Sequence, residues 1–255
     1  MVKCSNCFNK TYWKLTDGRL KCKRCRKVFT NKEINKFLLR KVISEFVLEH
    51  STNIILSRVN ISKYQLLKIL TLLRIKMKED ISDVFEGIVE VDETYTGGQW
   101  KNKRKAEKIR LGKAKRGRGT FKQPVFGILC RKGKVWVKVV DDVEAKTLQP
   151  LIQKQVKKGS TVCSDSWRGY TGIASKGYVH RLVKHEKQEY SDGKGNHING
   201  LEGFWGYLKR KLAAKGGIRK EKLPIYIGEY VWRYNHRNLS LKEQENKLFK
   251  LYFTN

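Results

Sequence analysis

Apolar positions change period along the chain, and the changes divide it into regions. From residue 31 to about 80 they recur at helical spacing. Ile34, Phe37, Leu38, Val42, Ile43, Phe46 and Val47 form one stripe, with Thr30 or Asn31 as its cap. Ile54, Ile55 and Leu56 then lead through Val59-Asn60-Ile61 into Tyr64, Leu66, Leu67, Ile69 and Leu70, with Ser62 as a second cap. A helix, a short turn and a capped helix predict a helix-turn-helix-like region, although an ordinary helical hairpin follows the same pattern. From Gly87 the period shortens to two. Ile88-Val89-Glu90-Val91 runs as a strand into Asp92, and Val125–Cys130 and Val135–Val140 form a hairpin joined through Arg131-Lys132-Gly133-Lys134. A helix is expected from near Glu144 through Leu148, Leu151, Ile152 and Val156, followed by a strand over Thr161–Ser164 that ends at Asp165. After a loop-rich stretch, Asn199–Leu212 and Pro224–Arg237 read as helices, and 241–255 as a tail or short helix. The order predicts an α/β fold with a mixed sheet and flanking helices over 86–240.

The first 30 residues follow a different pattern. Cys4-x2-Cys7 and Cys22-x2-Cys25 are separated by 14 residues, the spacing of a zinc ribbon in which two hairpin turns complete a tetrahedral four-sulfur site. Four unrelated reduced thiols would leave the matched pairs unexplained. So small a segment needs the metal to fold, and four thiolates leave no open position, so one structural Zn2+ is expected and a catalytic one is not. Cys130 and Cys163 lie in strands and read as small buried residues.

Charge then narrows the partner. The chain carries 56 Lys+Arg against 24 Asp+Glu, a formal charge of +32. Aromatic and aliphatic residues recur throughout, which excludes a disordered basic tail. Charges interrupt every apolar run, so no membrane span is expected. The first residues show no signal-peptide core, so a secreted disulfide-rich protein is not expected either. A polyanion is the default partner, and nucleic acid is the commonest. Residues 101–120 concentrate ten Lys/Arg with one Glu. Lys101, Lys103, Arg104 and Lys105 at its start, and Lys113, Lys115, Arg116 and Arg118 at its end, are expected to grip DNA phosphates.

In a chain this basic, acids in apolar surroundings are informative. Asp92 and Asp165 each end an apolar strand. Carboxylates at neighbouring strand ends repel one another unless a cation offsets them, and hard oxygen ligands suit Mg2+ or Mn2+. Glu202 is the third candidate, with 36 residues between it and Asp165. At 100° per residue, Leu201, Phe204, Trp205, Leu208 and Leu212 fall within roughly 60° of one direction and form the core face. Glu202 and Lys209 stack two turns apart at the edge of that face, where a carboxylate can meet a metal and an ammonium a phosphate. Glu93 should point to the opposite side of its strand from Asp92, towards solvent or a structural contact. His180 and His185 read as surface or packing histidines. Tyr95, Trp167, Trp205 and Trp232 read as core or core edge.

Four segments carry a family resemblance. Val91-Asp92-Glu93-Thr94-Tyr95-Thr96-Gly97-Gly98 resembles the first-aspartate motif of DDE transposases of the insertion-sequence class that bear an N-terminal zinc ribbon, an ISXO-like group related to the eukaryotic Merlin elements. Ser164-Asp165-Ser166-Trp167-Arg168-Gly169-Tyr170 resembles their second block, and His197-Ile198-Asn199-Gly200-Leu201-Glu202-Gly203-Phe204-Trp205 with Leu208-Lys209-Arg210 their third. Trp232–Arg237 is similar to their closing helix. The resemblance implies a ribonuclease-H-like catalytic domain and DNA cleavage and strand transfer with two divalent ions on Asp92, Asp165 and Glu202. It also implies that Lys209, with Arg210 beside it, helps to position the DNA end. Some members carry Asn in the third position, so Asn199 could share or replace the role of Glu202, and His197 could touch a phosphate or metal. Terminal inverted repeats and target DNA are the implied partners, and a dimer or higher assembly on DNA the implied state. The compartment would be the bacterial nucleoid or a eukaryotic nucleus. Two other readings compete: a domesticated, non-catalytic zinc-ribbon DNA-binding protein, and a basic zinc-ribbon protein of ribosome or transcription machinery. The latter leaves the three acids unexplained.

Overall fold

The computed structural model describes residues 4, 6–7, 9–29, 34–81, 84–98, 103–112, 120–131, 133–183 and 198–254. Thr30, Asn31, Lys101, Lys113, Lys115, Arg116, Arg118, His185 and His197 lie outside the described residues. The chain divides into two compact units, Met1–Asn60 and Ile61–Asn255.

The first unit opens with a three-stranded antiparallel sheet, β1 (Tyr12–Lys14), β2 (Leu20–Cys22) and β3 (Val28–Phe29) in that spatial order. Asp17 and Gly18 make the first turn. The Asp17 carboxylate accepts from Arg19 N at 2.9 Å, and Gly18 adopts φ +78°, which a side chain would strain. Among the described residues the core of this sheet is Cys4, Leu20, Cys22 and Phe29, so two of these four are cysteines. Helix α1 (Lys36–Val47) follows, and its cap is Asn35, whose Oδ1 accepts from Phe37 N at 2.9 Å, several residues later than the sequence pattern suggested. Helix α2 (Thr52–Arg58) is capped by Ser51.

The second unit begins with α3 (Lys63–Glu79), capped by Ser62 as expected. Its five-stranded sheet contains β4 (Ile88–Thr96), β5 (Gln123–Cys130), β6 (Val135–Val139), β7 (Thr161–Ser164) and β8 (Val179–Leu182) in the order β6-β5-β4-β7-β8. The first three strands form an antiparallel meander, and β7 and β8 add in parallel on the other side of β4. This is the ribonuclease-H-like order, with β4 at the centre. Between β4 and β5, the basic segment forms a short helix, α4 (Lys105–Leu111).

Alternation along the central strands sorts their side chains to two faces. Val89, Val91, Phe126 and Ile128 pack with Leu148 and Ile152 of α5 (Ala145–Gln155). Val125 and Leu129 pack on the other face with Leu201, Phe204, Trp205 and Leu208 of α6 (Asn199–Ala213) and Ile227, Tyr230 and Val231 of α7 (Leu223–Asn235). Outside α7 lie α3 and α8 (Leu241–Phe253). Of residues 241–255, expected as a tail or short helix, Leu241–Phe253 form a helix of 13 residues, started by a Ser240–Glu243 capping box and fixed through buried Leu248. A buried ion triad joins α3 to α7. The Glu229 carboxylate accepts from Arg74 Nε at 2.6 Å and from Arg233 Nε at 3.1 Å. Burial works against that charge, and the two guanidiniums outweigh it and hold Glu229 below the usual carboxylate range. Gly228 lets α7 approach, because a Cβ there would sit 2.5 Å from Lys78 Cβ. Among the described residues no helix is long and apolar enough to cross a membrane.

Candidate active site

Asp92 lies in the middle of β4 opposite Gly127 of β5, and Asp165 immediately follows β7. The parallel register that sets Glu90 opposite Cys163 brings Asp92 and Asp165 to the same level on adjacent strands. Neighbouring strands lie about 4.8 Å apart, so the two carboxylates share one end of the sheet. Asp165 is oriented by a turn in which its Oδ1 accepts from Trp167 N at 2.9 Å. Trp167 in turn donates from Nε1 to Val143 O at 2.9 Å, which ties the loop after β7 to the segment before α5.

Asp92 is held from the opposite side. Trp205 Nε1 of α6 donates to Asp92 Oδ2 at 2.9 Å. The sequence marks Trp205 as core, which it is, but its indole also orients a carboxylate. Gly127 makes room for this, since a Cβ at that position would lie 2.6 Å from Trp205 Cη2. Burial, followed by the charge of Glu93, pushes the Asp92 carboxyl up to about 7; the charge of Asp165 adds to this, and the Trp205 hydrogen bond opposes it.

Glu93 points away from this face, as strand alternation requires. Its Oε2 accepts from the hydroxyl of fully buried Tyr170 at 2.8 Å. That contact links the first acidic motif to the end of the second. The charges of Glu93, Asp92 and Asp165, together with burial as the largest cause, hold the Tyr170 phenol well above its ordinary value.

Glu202 lies in the first turn of α6, exposed, next to buried Leu201. The buried stripe of α6 is Leu201, Phe204, Trp205 and Leu208, so Glu202 and Lys209 stand at its edge as the 100° geometry predicts, with Asn199 and Arg210 also exposed. Among the described residues, Asp92, Asp165 and Glu202 do not form a metal-sized cluster as tight as the 4.8 Å that encloses the four cysteine sulfurs.

The basic segment leaves β4 at Thr96, four residues beyond Asp92, and so emerges at the same end of the sheet as both aspartates. Within it Arg104, Lys105 and Arg110 are exposed, and Lys103 pairs with Glu107. Elsewhere His180 bonds Ser164 Oγ through Nε2 at 2.9 Å, Cys163 is buried, Cys130 is only partly so, and Trp232 is core with its Nε1 on Asp80.

In the first unit, Cys4 Sγ lies 3.5 Å from Cys25 Sγ, and Cys7 Sγ 3.5 Å from Cys22 Sγ. Four sulfurs at about 2.3 Å from one ion would sit about 3.8 Å apart, so the set has nearly the size of a tetrahedral site. Asn6 N donates to Cys4 Sγ at 3.4 Å and Cys25 N to Cys22 Sγ at 3.5 Å. Burial opposes ionisation of Cys22, but N–H groups of Cys25 and Arg24 outweigh it and bring the thiol down to about 6.

Comparison with known proteins gives this arrangement a family. An uncharacterized transposase-like protein of Haemophilus influenzae (strain ATCC 51907 / DSM 11121 / KW20 / Rd) is 35% identical over 120 residues, covering 47% of this chain and 94% of that one. Among solved structures, the catalytic core domain of BIV integrase aligns at 13% identity over 64% of this chain and 99% of its own, with a TM-score of 0.37. A pre-cleavage Mos1 transpososome aligns at 13% identity over 88% of this chain and 65% of its own, with a TM-score of 0.28. The profile of the ISXO2-like transposase domain matches residues 84–235, more than half of the chain and all of the segment carrying Asp92, Asp165 and Glu202, so the chain belongs to the ISXO2-like transposase family.

Proposed function

We propose that this transposase cuts DNA at transposon ends and joins the freed ends to target DNA, using divalent cations held by Asp92, Asp165 and Glu202. The observation that carries this reading is the register of β4 and β7, which sets Asp92 and Asp165 at one level on adjacent parallel strands, with α6, on whose first turn Glu202 stands exposed, packed over the face that Asp92 occupies. The donor set fits: hard carboxylate oxygens suit Mg2+ or Mn2+, and Asp92 and Asp165 stand on adjacent strands. When bound, two such ions supply activation of a water, then of the freed 3′-hydroxyl, for in-line attack on a phosphodiester. Asp92 is pre-oriented by Trp205, and Asp165 by Trp167 N. Lys209, Arg210 and the exposed cations of α4 provide phosphate contacts around the acids. Asn199, on the first turn of α6, is the alternative oxygen donor to Glu202. The four cysteines hold one Zn2+, which gives the first unit its fold and lets it read the terminal repeats. The chain assembles as a dimer or larger on paired ends.

The test is a duplex carrying the terminal repeat of the element that encodes the chain. With Mg2+, the purified protein should nick it at the repeat boundary and leave a 3′-hydroxyl. Tight, specific binding with no nick in Mg2+ or Mn2+ would instead support the domesticated, non-catalytic DNA-binding protein.

Asp92 also predicts a pH effect. Its folded pKa of about 7 lies above its unfolded value of about 4. The stability it contributes is therefore fully present below the unfolded value and lost as pH rises through the folded one. In EDTA the melting temperature of the wild type should fall relative to Asp92→Asn between about pH 4 and 7, and Mg2+ should reverse that relative fall. Parallel curves for the two proteins would contradict the assignment.

A further inference from the structure

Glu90, two residues before Asp92, takes no part in the chemistry proposed above, yet it is 1% exposed and carries a charge into the core. Its Oε2 accepts from Leu201 N, the third residue of α6, at 2.9 Å. Its Oε1 accepts from Arg131 Nε at 3.3 Å, and Arg131 also reaches Cys163 Sγ on β7 at 3.9 Å. The residue at the local cap position of α6, Ile198, provides no side-chain hydrogen bond. The N–H groups of a first helical turn need acceptors, and a carboxylate there also complements the helix dipole. The strand supplies from a distance what the local sequence does not.

We infer that Glu90 is a positioning residue that fixes α6, and with it Glu202, against Asp92. Two bonds make the clamp: Glu90 to Leu201 N and Asp92 to Trp205 Nε1. Residues 90 and 92 are separated by about 6.8 Å along a strand, and residues 201 and 205 by about 6 Å along a helix, so both bonds close in one register only. A slip of one residue on α6 would break both bonds and rotate Glu202 by about 100° away from the aspartates. Gly200 belongs to the same device. A Cβ there would lie 3.0 Å from Glu90 Oε2 and 3.2 Å from Leu129 Cδ2, so a larger residue would push the first turn of α6 off the strand.

The inference rests on the proposed cleavage activity, and its test separates the two. Glu90→Leu with Arg131→Leu removes the charge pair as a unit, a change a folded core generally tolerates. Glu90→Gln keeps an oxygen for Leu201 N. The double variant should stay folded, with a melting temperature lowered by only a few degrees for the lost acceptor of Leu201 N, and keep its KM for end DNA while kcat falls about 100-fold, the scale of losing a group that orients a metal ligand. Glu90→Gln should recover most of that loss. Hydrogen exchange over the first turn of α6 reads the clamp independently of cleavage: protection should be lost in the double variant and retained in Glu90→Gln. Loss of protection without any wild-type cleavage would leave the clamp standing and sink the activity. Wild-type kcat, or unchanged protection, in a folded double variant would overturn the positioning role.

Discussion

Asp92→Asn should reduce metal-dependent cleavage of end DNA by at least about 1,000-fold while leaving end binding within about twofold. Asparagine keeps the size of the side chain and an oxygen for Trp205 Nε1, so the Asp92–Trp205 contact and the packing against Gly127 can persist. What it removes is the anionic oxygen that a divalent cation needs at this level of β4. The same substitution should stabilise the metal-free protein at neutral pH, because burial and the nearby charges of Glu93 and Asp165 disfavour ionised Asp92. Loss of cleavage together with a raised melting temperature is an unusual pairing, and disruption of the fold would not produce it. Cleavage at the wild-type rate, or a lowered melting temperature, would contradict the assignment. Gel-resolved nicking and differential scanning calorimetry of the same preparations give both readouts.

Removing zinc should unfold the three-stranded sheet of the first unit while leaving the five-stranded sheet of the second intact. Among the described residues, two of the four buried ones in the ribbon core are themselves cysteines, and β3 is only two residues long. Little apolar area remains to hold the ribbon without the ion, whose binding to such sites contributes on the order of 10 kcal/mol to folding. Cys22→Ser, which removes one of the four clustered sulfurs, should release one zinc per chain and abolish hydrogen-exchange protection across Tyr12–Lys14 and Leu20–Cys22. Protection in β4 and β5 should be unchanged. If the ribbon reads terminal repeats, specific binding should fall more than binding to unrelated duplex. Equal loss in both would remove that role, and a protected ribbon without metal would contradict the site itself.

Much of this architecture is legible in the chain because local pattern and burial agree. The alternation through Val89, Val91, Phe126 and Ile128 and the stripe of Leu201, Phe204, Trp205 and Leu208 are one-sided, so they mark buried faces directly. Asp92 and Asp165 stand out for the converse reason, as acids that follow apolar runs; Asp165 does end its strand, whereas β4 continues four residues past Asp92 to Thr96, so the expectation that Asp92 ends a strand is corrected. Other features depend on partners far along the chain. Strand β8 is four residues, mostly exposed, and is a strand only because β7 pairs with it; its sequence, Val179-His180-Arg181-Leu182, reads as loop. Glu90 is read as one polar position in an alternating strand, and its partner in α6 is 111 residues away. Gly127 and Gly228 are required by an indole and by a neighbouring helix, which no local spacing reveals. Residues 241–253 form a helix because Leu248 finds a core and Lys247 Nζ reaches Asp80 at 3.2 Å. Asn35 caps α1 in place of an earlier residue because its side chain can reach Phe37 N, a geometric fact rather than a compositional one.

The central claim is that Asp92, Asp165 and Glu202 act as one cation site. The most direct measurement is Mn2+ binding, followed by electron paramagnetic resonance, to the wild type and to Asp92→Asn, Asp165→Asn and Glu202→Gln, each in complex with end DNA. The account predicts two Mn2+ bound per active site in the wild type and at least about tenfold weaker binding in every variant, with zinc content unchanged. Wild-type Mn2+ affinity in Asp92→Asn or Asp165→Asn would contradict it.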